Sequence, residues 1–248
     1  MAKYGLSFIS DEDLFVHIKQ TIEKYRFQIS LKEFNKNLVD PIKLTFDSKI
    51  YGKSIEEIIE TESIRQIDKS NTNHIGYFHQ NIFKYIGSDW EVPEKGYDVI
   101  NKSRKIFVEM KNKHNTMNSS AAQKTYMKMQ HKILRDDEAT CYLVEVIARK
   151  SQNITWKASI DAEQLSNKNI RRISIDKFYE LVTGTPIAFK ELCEAIPTVI
   201  DDVIARSSAG TIESSVNKEL QKISQNLLKS IYLLSFEKYE GFSSLEIG

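Results

Sequence analysis

Three residues near the middle of the 248-residue chain have the types and spacing for hydrolytic chemistry: Asp98 and, after ten intervening residues, Glu109 and Lys111 in GYDVINKSRKIFVEMKNK at 96–113. Ile106, Val108 and Met110 alternate with Phe107, Glu109 and Lys111, so in a strand Glu109 and Lys111 project from one face. A carboxylate and an ammonium two positions apart are costly among apolar neighbours unless they are used or solvated. Tyr97 to Asn101 reads as a partner strand joined through the turn Lys102-Ser103-Arg104, and pairing of the two brings the Asp98 carboxylate alongside Glu109. Two ionised carboxylates a few ångströms apart repel, and a hard divalent cation relieves the repulsion. Magnesium suits such a site because it takes one or two carboxylates together with waters and phosphate oxygens. Such an ion lowers the pKa of a bound water and takes up charge on a phosphoryl oxygen. Lys111 is then placed to orient or help deprotonate the water and to stabilise the phosphorane. The chemistry is metal-assisted phosphodiester hydrolysis.

The charge pattern around these residues points the same way. The chain as a whole carries 35 Lys+Arg against 34 Asp+Glu, a formal net charge of +1, which excludes a polycation binding nucleic acid over its whole surface. Along the chain the balance is uneven. Lys102 to Arg135 holds nine basic residues and one acid, Glu109, for a local charge of +8, whereas Ser54 to Glu94 carries −5. Lys124, Lys128, Lys132 and Arg135 fall on one ridge of a helix, away from its apolar stripe, where they can track phosphates. The loop leaving the catalytic strand, Asn112 to Gln123, is dense in short hydrogen-bonding side chains that suit base edges or phosphates: Asn112, Lys113, His114, Asn115, Asn118, Ser119 and Ser120. The plainer role for that loop is a polar connection with Ser119 or Ser120 capping the next helix.

Around the segment the chain reads as an α/β protein. Helical periodicity over 11–38 stops at Asp40-Pro41, 42–52 reads as extended, and Ser54 with Glu57 forms a capping box for a helix. A Ser-Asn-Thr-Asn stretch separates that helix from a second, which carries Phe78, Ile82 and Ile86 and stops at Gly87. Strands at 97–101 and 105–111, a helix over about 121–134 and a buried strand at 140–148 follow, the last three forming a right-handed crossover. The remaining helices are expected at 175–195, 197–207 and 212–236. The division that follows is one nuclease domain over 1–248, with a helical N-terminal region (1–70), a catalytic core (71–160) and a mainly helical C-terminal region (161–248). Cys141 and Cys193 form no metal motif, the N-terminus carries no apolar signal segment and no stretch has the length of a membrane span, so the expectation is a cytoplasmic protein with no membrane partner.

A Glu-x-Lys on a strand is more commonly a solvated sheet surface. The conjunction of Asp98, Glu109 and Lys111 with two short strands and a following crossover helix resembles the PD-(D/E)XK nuclease core, a mixed central sheet flanked by helices, here with helical N- and C-terminal additions. The resemblance implies that Asp98, Glu109 and Lys111 are the catalytic residues and that Asp98, Glu109 and the backbone carbonyl of Met110 hold Mg2+. The first motif departs from the family pattern, reading Tyr97-Asp98 where Pro-Asp is common. More narrowly, NHIGYFHQNIFKYI at 73–86 and VEMKNKHNTMNSSAAQKTYMKMQ at 108–130 resemble type II restriction endonucleases that cut interrupted sites of the GGNCC or GGWCC kind. That implies Mg-dependent cleavage of both strands of duplex DNA by a homodimer, with a cognate DNA methyltransferase in the same restriction-modification system. It further implies an auxiliary residue on the helix before the core, where Gln80 stands, with Glu60 and Glu62 as competitors. Two rival readings stay open at this point: a structure-specific repair or recombination nuclease of the same fold, and a non-catalytic DNA-binding protein. The dimer contact is open as well, with the apolar C-terminal residues Ile223, Leu227, Leu228, Ile231 and Leu234 as one candidate.

Overall fold

The computed structural model describes residues 4–87, 89–160, 163–206, 212–239 and 242–247. In chain order its elements are α1 (Asp11–Ile22), β1 (Gln28–Ile29), α2 (Leu31–Asn35), α3 (Pro41–Tyr51), α4 (Ile55–Asn81), β2 (Trp90–Glu91), β3 (Val99–Asn101), β4 (Ile106–Lys113), α5 (Ser119–Arg135), β5 (Thr140–Ile147), β6 (Asn153–Ile160), β7 (Glu163–Ser174), α6 (Ile175–Thr183), α7 (Ala188–Ile204), β8 (Glu213–Ser214), α8 (Val216–Leu220) and α9 (Leu227–Phe236). They fall into two compact units, Met1–Glu23 with Ile75–Ser208 and Lys24–His74 with Ala209–Gly248.

The first unit is built on a six-stranded sheet in the order β2-β3-β4-β5-β7-β6. β4, β5 and β7 run parallel, while β2, β3 and β6 are antiparallel to their neighbours. Parallel neighbours need a crossover, and α5 supplies it between β4 and β5. Strand alternation divides the side chains between two cores. Val108, Met110, Tyr142, Val144 and Ile173 pack with Leu14 and Ile18 of α1, Phe78 and Ile82 from the end of α4 and just beyond it, Phe178 and Tyr179 of α6, and Leu192 and Val199 of α7. The opposite face carries Cys141, Leu143 and Ile170, covered by Tyr126, Met129 and Ile133 of α5 and by Trp156 and Ala158 of β6. The result is an α/β sandwich in which a mixed central sheet lies between helices.

In the second unit, Ile29, Phe34, Leu44, Ile58, Ile59 and Ile67 pack with Val216, Leu220, Leu227 and Ile231. Two segments distant in sequence, 24–74 and 209–248, therefore meet in this unit, joined by the parallel pair β1–β8.

The helical pattern expected over 11–38 ends at Ile22. The turn that follows is held open because the Arg26 backbone N–H and carbonyl are both taken by the Asn71 side chain. Residues 42–52 are not extended but form α3: Asp40 accepts the Ile42 N–H and Pro41 takes the first helical position, where its missing N–H costs nothing. The two helices expected on either side of the Ser-Asn-Thr-Asn stretch are one 27-residue helix, α4, entered through the capping box at Ser54 and Glu57. α7 runs through Pro197, because Leu192, Ala195, Val199 and Val203 keep its apolar stripe packed. It ends at Ile204, and Ser207, where the sequence pattern ends a helix, lies outside the described residues. The region beyond 160 opens with β7 and not with a helix, and the span read as one helix over 212–236 is β8, α8 and α9. No helix among the described residues is long and apolar enough to cross a membrane.

Candidate active site

The pairing of β3 with β4 sets the geometry. Val99 faces Val108, and the ladder continued by one residue puts Asp98 across from Glu109; the Asp98 N–H donates to the Val108 carbonyl at 2.9 Å. Directly opposed side chains in an antiparallel pair share a face with their Cβ atoms about 5 Å apart. The Asp98 carboxylate is oriented further by the Met110 N–H, which donates to its Oδ2 at 2.7 Å. In an extended strand the N–H and C=O of one residue leave on the same side, so the Met110 carbonyl is turned toward the Asp98 edge, beyond the last residue of β3. The Met110 side chain points the other way, into the core.

Glu109 is buried, and two ammonium groups attend it. Lys111 Nζ lies 3.9 Å from Oε2, and Lys128 Nζ pairs with Oε1. Lys128 comes from α5, donates as well to the Gly96 carbonyl at 2.7 Å, and sits 4.4 Å above the Tyr97 ring. Burial raises the Tyr97 hydroxyl well above the usual phenol range, so it stays a neutral donor to the Lys128 carbonyl at 3.2 Å. The donor set is hard oxygen from two carboxylates and a carbonyl, which suits Mg2+. Among the described residues no three His, Cys, Asp or Glu side chains converge.

Not every residue of the candidate set lies at this point. Asn112 is on the opposite face of β4, its amide against Gly76 of α4, where an added Cβ would stand 3.4 Å from it. Gln80 is one turn further along α4 in the same unit as the carboxylates, whereas Glu60 and Glu62 belong to the second unit. Burial works against the Glu62 charge, but hydrogen bonds from Arg65 and Gln66 hold its carboxyl below the ordinary range. Lys113, Asn115, Ser119, Ser120 and Lys124 are exposed around the loop and the first turns of α5. Asn118, and not Ser119 or Ser120, caps α5 by accepting the Ala121 N–H at 2.8 Å. The basic ridge is shorter than its spacing suggests, since Lys128 turns inward to Glu109 and Lys132 lies 4.0 Å over the Phe107 ring.

Two further charged residues were not anticipated. Glu145 of β5, paired in register with Lys111, is fully buried and joined to Arg172 of β7. The Arg172 guanidinium also reaches the carbonyl of His114, the first residue of the loop after β4, at 3.5 Å. The one available signal was the acid in the apolar run TCYLVEVIA, since a carboxylate in a central strand needs a cation.

The sequence from 6 to 205 matches the model of the Eco47II restriction endonuclease family. The chain is 36% identical over 221 residues to the type II restriction enzyme Sau96I of Staphylococcus aureus, covering 84% of this chain and 85% of that protein. It is 32% identical over 212 residues to the type II restriction enzyme Eco47II of Escherichia coli, covering 81% and 88%. With these matches spanning the sheet, the carboxylates and the loop after β4, the chain belongs to the Eco47II restriction endonuclease family and is a type II site-specific deoxyribonuclease.

Proposed function

We propose that the protein hydrolyses both strands of duplex DNA in a Mg-dependent reaction at a short G/C-rich interrupted palindrome of the GGNCC or GGWCC kind, acting as a homodimer. The observation that carries this reading is the Asp98 carboxylate, set across from Glu109 and fixed by the Met110 N–H, with Lys111 Nζ 3.9 Å from Glu109. Asp98, Glu109 and the Met110 carbonyl would hold the ion in a PD-(D/E)XK arrangement; bound there, Mg2+ would supply an acidified water and charge stabilisation at the phosphoryl oxygens. Lys111, its ammonium 3.9 Å from Glu109, would orient the attacking water and offset charge that develops on the phosphoryl oxygens. The loop after β4, with His114, Asn115 and Asn118, together with Lys113 at the end of β4 and Ser119 and Ser120 at the start of α5, reaches base edges and phosphates, Lys124 adds a phosphate contact, and Gln80 is the auxiliary residue. A palindromic site mirrors a two-fold protein. Such an enzyme works beside a cognate DNA methyltransferase in the cytoplasm, where the free thiols Cys141 and Cys193 stay reduced.

Digestion of duplex DNA of known sequence with Mg2+, followed by end mapping, tests activity, site and stagger together. The expected result is a discrete fragment ladder that EDTA abolishes. Asp98→Ala, Glu109→Ala and Lys111→Ala should each lower cleavage by at least 1,000-fold while site-specific binding stays measurable. Wild-type-like cutting by any of the three, or cutting confined to branched DNA, overturns the reading.

A further inference from the structure

The second unit presents an apolar stripe that its own core does not use. On α3, Ile42, Phe46 and Ile50 are 49%, 62% and 70% exposed, four residues apart and so on one face. Pro41 and Leu44 are buried on the other side, where Thr45 Oγ1 also meets Tyr232 Oη at 3.1 Å. Just before the helix, Leu38 is 83% exposed with φ 47°, a left-handed conformation that is costly for a leucine. The three helical side chains leave on the order of 400 Å² of contiguous apolar surface in water, as much as monomeric proteins ordinarily tolerate.

The stripe reads the same in both directions from Phe46, with isoleucine four positions before and four after. We propose that it is the contact with a second copy of this chain, α3 packing antiparallel on α3 about a two-fold axis beside Phe46. Phe46 then meets Phe46 of the partner, and Ile42 lies over Ile50. A ridge spaced by four fits between equivalent ridges in the commonest mode of helix packing, and an isologous contact demands this self-complementarity. Lys43 and Lys49 flank the stripe as a charged rim, Lys43 already paired with Asp47. The area is about half of the ~800 Å² that each partner gives to a stable interface, which makes the stripe its apolar centre. Of the C-terminal apolar residues, Leu227, Leu228 and Ile231 are buried within the second unit, and Ile223, 44% exposed, does not make a stripe with them.

The inference deepens the reading of a two-fold enzyme on a palindromic site and rests on it. Its test is the mass of the full chain in solution by light scattering at micromolar concentration, without DNA or metal. Wild type should have twice the 28.7 kDa chain mass, and Phe46→Glu/Ile50→Glu should have the single-chain mass with an unchanged far-UV spectrum. As a second probe that does not disturb the stripe with charge, Phe46→Cys in a Cys193→Ser background should cross-link to its own copy on oxidation, and Lys222→Cys in that background should not. A monomeric wild type, a charged variant that stays dimeric, or Phe46→Cys cross-linking no faster than Lys222→Cys overturns the proposal. Cleavage is assayed separately: a dimer that does not cut removes the active-site reading and leaves the contact standing, and a cutting monomer does the reverse.

Discussion

Lys128 is the residue whose place in the site changes its role. Its spacing on α5 with Lys124, Lys132 and Arg135 puts it on a surface ridge, yet its ammonium holds the buried Glu109 and the Gly96 carbonyl. The two roles give opposite signatures. A phosphate contact, when removed, weakens DNA binding and lowers the salt slope by about one unit. A group that fixes Glu109, when removed, leaves binding and its salt dependence alone and lowers turnover. For Lys128→Met the second is expected: kcat down by about 10- to 100-fold with an unchanged salt slope, read by single-turnover cleavage and by binding titrations at several salt concentrations. The placing of Asp98, Glu109 and Lys111 relative to one another was legible in the sequence because a period of two fixes the face of every strand residue. Lys128 was not, since whether a lysine stem reaches across depends on how α5 is rotated over the sheet. Glu145 was visible as an acid inside an apolar strand, but its cation Arg172 sits on β7, and NKNIRRIS carries too many polar residues to read as a strand packed beside the sheet centre.

At the scale of elements, β3, β4, β5 and the α5 crossover were legible, whereas β2, β6, β7 and most of the second unit were not. The runs at 105–111 and 140–148 follow simple periodicities that tertiary contacts reinforce. In α4 local composition misleads. Ser70, Asn71, Thr72 and Asn73 are weak helix formers, but Asn71 turns its amide onto the Arg26 backbone, accepting from the N–H at 2.8 Å and donating to the carbonyl at 3.2 Å. This clamp replaces a helical bond for the turn before β1, so a residue that looks like a breaker joins two pieces of one unit that are distant in sequence. Asn71→Ala leaves both Arg26 backbone groups without that partner and should destabilise by about 1–3 kcal/mol. Asn73→Ala, at an exposed position of the same helix, should stay within about 0.5 kcal/mol of wild type. Urea unfolding of the two variants side by side checks the difference, and equal midpoints would remove the clamp from the account of why α4 is continuous.

Across the whole molecule, charge must be counted in space. The +8 between Lys102 and Arg135 includes Lys102, paired with Glu91 at 2.8 Å, Lys105, paired with Asp136 and Glu138, and Lys128, paired with Glu109; three of these acids lie just outside the window that yields the sum. The basic surface left for DNA is therefore narrower than composition implies, with Lys113, Lys124 and Arg135 exposed on it. One contribution to the molecule's acid response is expected from the interior of the first unit, at His79. Burial, with the nearby His17 adding to it, pushes the His79 imidazole down to about 4 from 6.5. Its ring is stacked edge-on to Phe78 at 5.3 Å, and its Nδ1 is buried with no hydrogen-bond partner. A group depressed on folding binds its proton more readily in the unfolded chain. Stability from the neutral ring is thus fully present above about pH 6.5 and declines as pH falls toward 4. A shift of that size corresponds to at most about 3 kcal/mol. The upper part of this window, above about pH 5, precedes most carboxylate titration, and below it the two overlap, so a variant that lacks the imidazole isolates its share. Unfolding free energies from urea melts at pH 7.5, 6, 5 and 4.5 should fall progressively in wild type. They should fall less over the same interval in His79→Phe, which keeps an aromatic ring in the packing and cannot take a proton. Equal pH slopes for the two proteins would show that the acid sensitivity of the fold arises elsewhere.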